Sequence, residues 1–286
     1  MNRILVTGSG GFIGRALVEF LQSYSYDVVA IGSKDGDIAC RETLAGLEKN
    51  DFIRVYHLAG KTFVPDSWND SLSFYKTNVL GSANVLEYCK SHGVPLTFIS
   101  AYVYGDPISL PITENSQVLP NNPYALSKYM AEEACKFYSS VYNLPVMTIR
   151  PFNVYGIGQN SNFLIPSIIN QVLNEKVVKV SDLVPRRDYV YLKDLLSALL
   201  VTLDIKKGYH VYNVGSGYSL SVKEVIDIIQ GIAGTKKEII SGNVTRKNEI
   251  MDVVADISKI KDDLRWSPEY SFDKGIKEII DCGINQ

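Results

Sequence analysis

Thr7-Gly8-Ser9-Gly10-Gly11-Phe12-Ile13-Gly14 is the stretch that decides the reading of this chain. The apolar run Ile4-Leu5-Val6 leads into it, and a segment over 12–24 with apolar residues at i, i+3 and i+4 follows. A strand, a glycine-rich turn and a helix therefore come in direct succession. Gly8, Gly11 and Gly14 lie three apart, and each answers a different steric demand. Gly8 takes the tight turn, Gly11 removes the Cβ that would block a pyrophosphate, and Gly14 lets helix and strand pack closely. The helix start, with Phe12 and Ile13 in its first turn, offers unpaired N–H groups and the positive end of its dipole to phosphates. In this setting the turn reads as a dinucleotide-binding site.

Outward from the turn, short apolar runs alternate with helical patterns. Ile4–Thr7, Val28–Ile31, Ile53–Leu58, Leu96–Ser100 and Val146–Arg150 read as buried strands, and 12–24, 70–92 and 122–143 as helices. This alternation predicts an α/β fold, a doubly wound parallel sheet of the Rossmann type covered on both faces. After Pro151 the elements shorten and glycines multiply. Ser221 and Glu224 have the spacing of a capping box opening a helix over 222–232, and Asp256 is placed to cap another over 257–264. The expected organisation is a dinucleotide-binding domain over 1–151, interwoven with a smaller, mainly substrate-binding α/β lobe over 152–286.

The chain has 286 residues and a formal net charge of −2, so no basic field exists to hold nucleic acid or an anionic membrane. No apolar run approaches the ~18 residues of a membrane span, and the opening residues read as a strand and not as a leader. Four cysteines without Cys-x-x-Cys spacing read as buried, reduced thiols of a cytoplasmic protein, and three scattered histidines give no metal signal. His57, in an apolar strand, reads as a satisfied core histidine.

The second strand runs into Gly32-Ser33-Lys34, where a carboxylate would ordinarily hold the adenosine ribose. Without it a 2′-phosphate is not repelled, and Ser33 and Lys34 can bind it, so of NAD and NADP the sequence slightly favours NADP. The alternative is that Asp35 or Asp37 contacts the adenosine. Tyr124 and Lys128 lie four apart on one helix face, and Asn121-Asn122-Pro123 supplies the cap and start of that helix. A free phenol ionises near pH 10, and a neighbouring ammonium and the helix N-terminus both favour its anion, which makes Tyr124 a candidate base. Ser100 ends its strand at the carboxyl edge of the sheet, where open α/β sheets bind ligands.

These stretches together resemble the extended short-chain dehydrogenase/reductase family, in particular its nucleotide-sugar epimerase/dehydratase group. The similarity runs through TGSGGFIG (7–14), HLAG (57–60), NVLGSANVLE (78–87), FISAYVYG (98–105), PYALSK (123–128), RPFNVYG (150–156), RRDYVYLKDL (186–195) and YNVGSG (212–217). The resemblance implies that Tyr124 is the acid/base, that Lys128 steers it and bonds the nicotinamide ribose, and that Ser100 bonds the reacting sugar hydroxyl. It adds Asp37, Ile38, Leu58, Ala59 and Gly60 to the cofactor site. On the substrate side it implies Thr62, Tyr102, Asn153, Leu164, Arg187 and Arg246, although Asn153 could equally bond a loop and Arg187 pair with Asp188 or Asp194.

Ala101 and Tyr102 follow Ser100 where the group's 4,6-dehydratases carry Asp-Glu, so elimination of water lacks its acid and base. That leaves a nucleotide-sugar 4-epimerase acting on a UDP- or dTDP-sugar, or an NADPH-dependent 4-keto-6-deoxy-sugar reductase. A non-catalytic cofactor-sensing module is the remote alternative. The resemblance also implies a homodimer built on helices 70–92 and 122–143, although packing on the sheet explains their apolar stripes equally well.

Overall fold

The computed structural model describes residues 2–47, 51–205, 207–244 and 249–284. Each strand read from the sequence forms: β1 (Arg3–Thr7), β2 (Asp27–Ile31), β3 (Phe52–His57), β4 (Leu96–Ile99) and β5 (Val146–Pro151). They lie in the order β2-β1-β3-β4-β5, with Tyr209–Val214 beyond β5, and the neighbours from β2 to β5 pair in parallel. The order reverses between β1 and β3, the switch point at whose carboxyl ends such sheets bind ligands. Ile4, Leu5, Val6, Val55, Tyr56, Leu96, Phe98, Met147 and Ile149 are fully buried, and β1, β3, β4 and β5 are buried nearly throughout, with Arg54, His57 and Thr97 included, as a sheet covered on both faces requires. The fold is the α/β, Rossmann-type arrangement.

The chain divides into two compact units made of interleaved segments. The first comprises Met1–Gly105, Gln117–Pro151 and Leu196–Tyr212; the second comprises Asp106–Ser116, Phe152–Leu195 and Asn213–Gln286. The first unit's core joins Leu5, Val55, Val85, Leu96 and Ala131. The segment expected as one helix over 70–92 is not uniform. Ser71–Phe74 and Gly81–His92 are α-helical, and Tyr75–Leu80 between them is a π-helical turn. The wider turn directs Asn78 inward, where it is 1% exposed. At Gly81 any Cβ would lie 2.7 Å from Ile38 Cγ2, so the next helix starts hard against that side chain.

In the second unit Arg186–Tyr191 lies between Ser219–Ser221, paired antiparallel, and Asn153–Tyr155, paired parallel. Helices Leu164–Asn174, Val222–Ala233 and Phe272–Ile284 contribute Ile168, Val172, Val225, Ile229 and Ile276 to its core. The capping box forms as read: Ser221 Oγ accepts from Glu224 N at 3.2 Å, and Glu224 Oε2 accepts from Ser221 N at 2.7 Å. Asp256, expected as the cap, accepts from Ser258 N at 2.8 Å but stands one residue ahead of the N-cap, which is Ile257, because the helix runs over Ser258–Leu264. Asp188 is buried and organises this unit. Its carboxylate accepts from Ser216 N, Gly217 N and Ala255 N, and burial raises its pKa against those bonds.

Of the cysteines, Cys89 and Cys135 are buried, but Cys40 and Cys282 are exposed, which corrects the expectation that all four are interior. Among the described residues no helix is long and apolar enough to cross a membrane, and no cluster of His, Cys, Asp or Glu could hold a metal ion.

Candidate active site

The glycine turn closes through Gly11 N donating to Gly8 O at 3.0 Å. Gly8 has φ +77, and a Cβ there would sit 2.5 Å from Ala59 N, so the turn rests on the backbone leaving β3. A Cβ on Gly14 would collide with the Gly8 carbonyl, which is the close helix–strand approach expected of the third glycine. Gly11 is the N-cap of helix Phe12–Ser23, and no side chain caps it. The first N–H groups of that helix, around Phe12 and Ile13, thus face outward without intrahelical acceptors. This cradle suits a pyrophosphate.

Leu58 N donates to Thr7 O at 3.1 Å, and Ala59 N to Thr7 Oγ1 at 3.4 Å. Gly60 is needed because its Cβ would stand 3.0 Å from Asn78 Oδ1 and 3.7 Å from Lys128 Nζ. Beyond β2, Ser33 and Lys34 are exposed. Asp35 folds back, its Oδ2 accepting from Gly32 N at 2.8 Å. A Cβ on Gly32 would be 3.8 Å from that carboxylate oxygen and 3.4 Å from both Gly10 N and Ser9 Oγ. A carboxylate therefore stands beside the end of β2 and the glycine turn, three residues later than the usual position. Asp37 is held by Lys76 at 2.8 Å and by Ala39 N at 3.0 Å, which together keep its carboxyl below the ordinary range. Ile38 is buried.

Asn122 caps the next helix, Pro123–Tyr142, by accepting from Ala125 N at 2.8 Å, and Pro123 occupies its first turn as read. Lys128 is 4% exposed; its ammonium donates to Ile99 O at 2.5 Å and lies 4.6 Å from the centre of the Phe98 ring. Burial lowers its pKa to about 8, against the opposing effect of Glu132. Tyr124 meets the edge of Phe74 with ring centres 6.4 Å apart. Its pKa is raised, first by burial and then by Tyr102, and so runs opposite to the expectation from its neighbouring ammonium. Desolvation is the larger cause, and the Lys128 ammonium is directed to the Ile99 carbonyl. Ser100 N donates to Ile149 O at 2.8 Å, while its buried Oγ has no hydrogen-bond partner among the described residues. A buried hydroxyl without a partner at a strand's carboxyl end is what a ligand hydroxyl would satisfy.

His57 is a satisfied core residue: Nδ1 lies 2.7 Å from Thr7 Oγ1 and Nε2 3.0 Å from Ser82 Oγ. Burial and Lys128 hold its pKa down to about 3, so the ring is neutral. Asn78 was not singled out by sequence reading. Its side chain accepts from Lys61 N and donates to Lys61 O and Ser127 Oγ, at 2.8, 3.1 and 2.8 Å, joining the strand-end loop to the Tyr124 helix. The available signal was its place at the head of the family-like stretch NVLGSANVLE (78–87). Thr62 is exposed on a cavity of about 380 Å³ that also takes in Lys61, Asp66, Asp70 and Phe74.

In the second unit, Asn153 Nδ2 donates to Asp188 O at 3.1 Å, and Leu164 begins its helix packed on that unit's core. Arg187 pairs with Glu249 and donates to Ile250 O at 2.6 Å. Neither expected partner holds it, because Asp188 is taken by backbone N–H groups and Asp194 by those of Glu269 and Tyr270. Arg246 lies outside the described residues.

The profile of the NAD dependent epimerase/dehydratase family matches residues 4–215. The chain is 32% identical to a putative UDP-glucose 4-epimerase of Methanocaldococcus jannaschii, with 97% of each chain covered. It is 31% identical to the GDP-6-deoxy-D-mannose reductase of Pseudomonas aeruginosa, over 98% of this chain and 96% of that one. A crystal structure of UDP-glucose 4-epimerase with UDP-glucose from Thermotoga maritima superposes with a TM-score of 0.92, at 27% identity and 99% coverage of both chains. This chain belongs to the NAD dependent epimerase/dehydratase family and is an NAD(P)-dependent enzyme.

The cradle makes a specific expectation. Gly11 has φ −78 and ψ 171, a conformation open to any residue, and its Cβ would come no nearer than 3.3 Å to Gly8 O. Gly11→Val should therefore fold, with an unchanged circular dichroism spectrum, yet lose NADH binding in calorimetry. Unaltered affinity in the folded variant would show that the turn is structural only.

Proposed function

We propose that this enzyme is a nucleotide-sugar 4-epimerase, acting on a UDP- or dTDP-sugar with NAD. The observation that carries the proposal is the unpartnered, buried Ser100 Oγ beside Ala101 and Tyr102, on the strand whose last carbonyl receives Lys128. This set can bind and deprotonate a sugar hydroxyl, but it lacks the acid–base pair that eliminating water requires.

In this reading Tyr124 exchanges a proton with the sugar C4 hydroxyl, Ser100 Oγ hydrogen-bonds the same oxygen, and Lys128 steers Tyr124 and bonds the cofactor ribose. When bound, the oxidised nicotinamide supplies the hydride acceptor and a positive charge near the phenol. Burial favours the neutral phenol of Tyr124, so taking the C4 proton requires its ionisation, which the positive nicotinamide and the Lys128 ammonium favour; the neutral phenol so formed then returns the proton. By resemblance, Thr62 and Tyr102 face the sugar, and Asn153, Leu164, Arg187 and Arg246 the nucleotide and its diphosphate. Residues 1–151 would then chiefly hold the cofactor and 152–286 chiefly the substrate.

Asp35 supports NAD over NADP. A carboxylate beside Gly32 can accept from ribose hydroxyls and repels a 2′-phosphate. The second reading, an NADPH-dependent 4-keto-sugar reductase, draws on the exposed Lys34 and on the similarity to the P. aeruginosa reductase. We further propose a cytoplasmic homodimer. Leu126, Met130, Phe137 and Val141 are exposed along helix Pro123–Tyr142 with spacings of four, seven and four, a stripe that a second copy would cover.

Tyr124→Phe should keep cofactor affinity and retain about 1% or less of the wild-type kcat for interconverting UDP-glucose and UDP-galactose, because acid/base catalysis contributes ~10²–10⁴-fold. Activity above about a tenth of wild type would remove Tyr124 from the mechanism. Calorimetry should find NADH bound more tightly than NADPH, with Asp35→Asn narrowing the gap; a wild-type preference for NADPH would favour the reductase. Light scattering should give a dimer that Phe137→Glu converts to monomer, and a monomeric wild type at micromolar concentration would refute the interface.

A further inference from the structure

The most deeply buried ion pair among the described residues does not belong to the set just described. Glu132 and Arg150 have side chains 1% and 6% exposed. The guanidinium grips the carboxylate with two nitrogens: Nε lies 3.0 and 3.2 Å from its two oxygens, and Nη2 lies 2.5 Å from Oε2. The other face of Arg150 rests 4.8 Å from the centre of the Tyr104 ring. Replacing a buried pair of this kind by apolar residues is often neutral or stabilising, so stability alone gives little reason for it.

Its place in the fold gives a better one. Glu132 follows Lys128 by four residues and so shares its helix face, while Arg150 is on β5, the strand paired with β4. The pair thus fastens the Tyr124 helix to the sheet one turn beyond Lys128 and places a carboxylate on the ammonium's helix face, where its charge favours the protonated lysine. The other groups around the Lys128 ammonium are uncharged or neutral. From β4 come the Ile99 carbonyl and the Phe98 ring, from β3 neutral His57, and from the segment after β3 Gly60, with Asn78 from the π-helical turn. Cys135, on its own helix, has its thiol kept neutral by burial, as burial keeps the Tyr124 phenol. We propose that the Glu132–Arg150 pair is a positioning device that holds the Lys128 ammonium in place and charged. The proposal rests on the assignment of Lys128 made above. Glu132 and Arg150 touch no reacting atom; they act through Lys128.

The test reads the charge of Lys128 without turnover. Protein carrying lysine with 13C at the ε-carbon is titrated by NMR, and the Lys128 signal is identified by its loss in Lys128→Met. Glu132→Gln leaves Arg150 uncompensated and should lower the Lys128 midpoint by roughly one pH unit, a tenfold loss of proton affinity. Arg150→Met leaves Glu132 uncompensated and should raise it. The double variant, with no unpaired buried charge, should fold and show a smaller fall than Glu132→Gln alone. Shifts of opposite sign in the two single variants are the signature of a charge device. Shifts of the same sign, or an unmoved midpoint in the double variant, would overturn the proposal, and the second criterion stands even if a single variant fails to fold. The basic limb of kcat should follow the midpoint. A limb that stays put while the midpoint moves supports the pair and counts instead against Lys128 as part of the reacting set.

Discussion

A single buried ammonium fixes the geometry of the proposed reacting groups. Lys128 reaches from its helix to the carbonyl of Ile99, the last residue of β4. Ser100 is the next residue along that strand's chain, and Tyr124 sits one turn back along the helix. One hydrogen bond therefore sets the register between the element carrying the hydroxyl and the element carrying the phenol. Desolvating a cation is costly, and several features offset that cost here: the carbonyl, the face of Phe98 and the nearby Glu132 carboxylate. Gly60 leaves room beside this arrangement for the Asn78 amide oxygen, which a Cβ would approach to 3.0 Å.

The parts of this arrangement that depend on local sequence could be read from it. Asn122-Pro123 announces a helix start, Ser221 and Glu224 announce another, and the three glycines after β1 announce a turn whose contacts lie within a few residues of it. What escaped reading was set by residues far apart in the chain. Glu132 and Arg150 meet across 18 residues, Asn78 and Ser127 across 49, and Arg187 and Glu249 across 62, and no short pattern marks any of these pairs. Asp35 and Asp37 were both legible as carboxylates after β2, but which of them folds back on Gly32 depends on the course of that loop. The sequence shows the charge neighbouring Tyr124 and the helix end, but not the burial that raises its pKa.

The second unit shows how little freedom its charged residues retain. Asp188 and Asp194 are committed to backbone N–H groups, which holds loops closed and leaves neither available to an arginine. Arg187 turns instead to Glu249, so an anionic ligand reaching it would compete with a carboxylate already in place. Binding at that arginine would be an exchange of anions, with a net gain smaller than a bare guanidinium would give.

The π-helical turn at Tyr75–Leu80 has a consequence for how this gene can vary. A π turn accommodates an extra residue relative to the α-helix around it. Deleting one residue there would let the segment relax into regular α-helix and would rotate everything after it by about 100° relative to everything before. Asn78 would swing away from Lys61 and Ser127, or Gly81 away from Ile38, whichever side gave way. Many single substitutions in this segment leave its length, and so its phase, untouched. Along 75–80 the chain should therefore tolerate changes of spelling far better than changes of length.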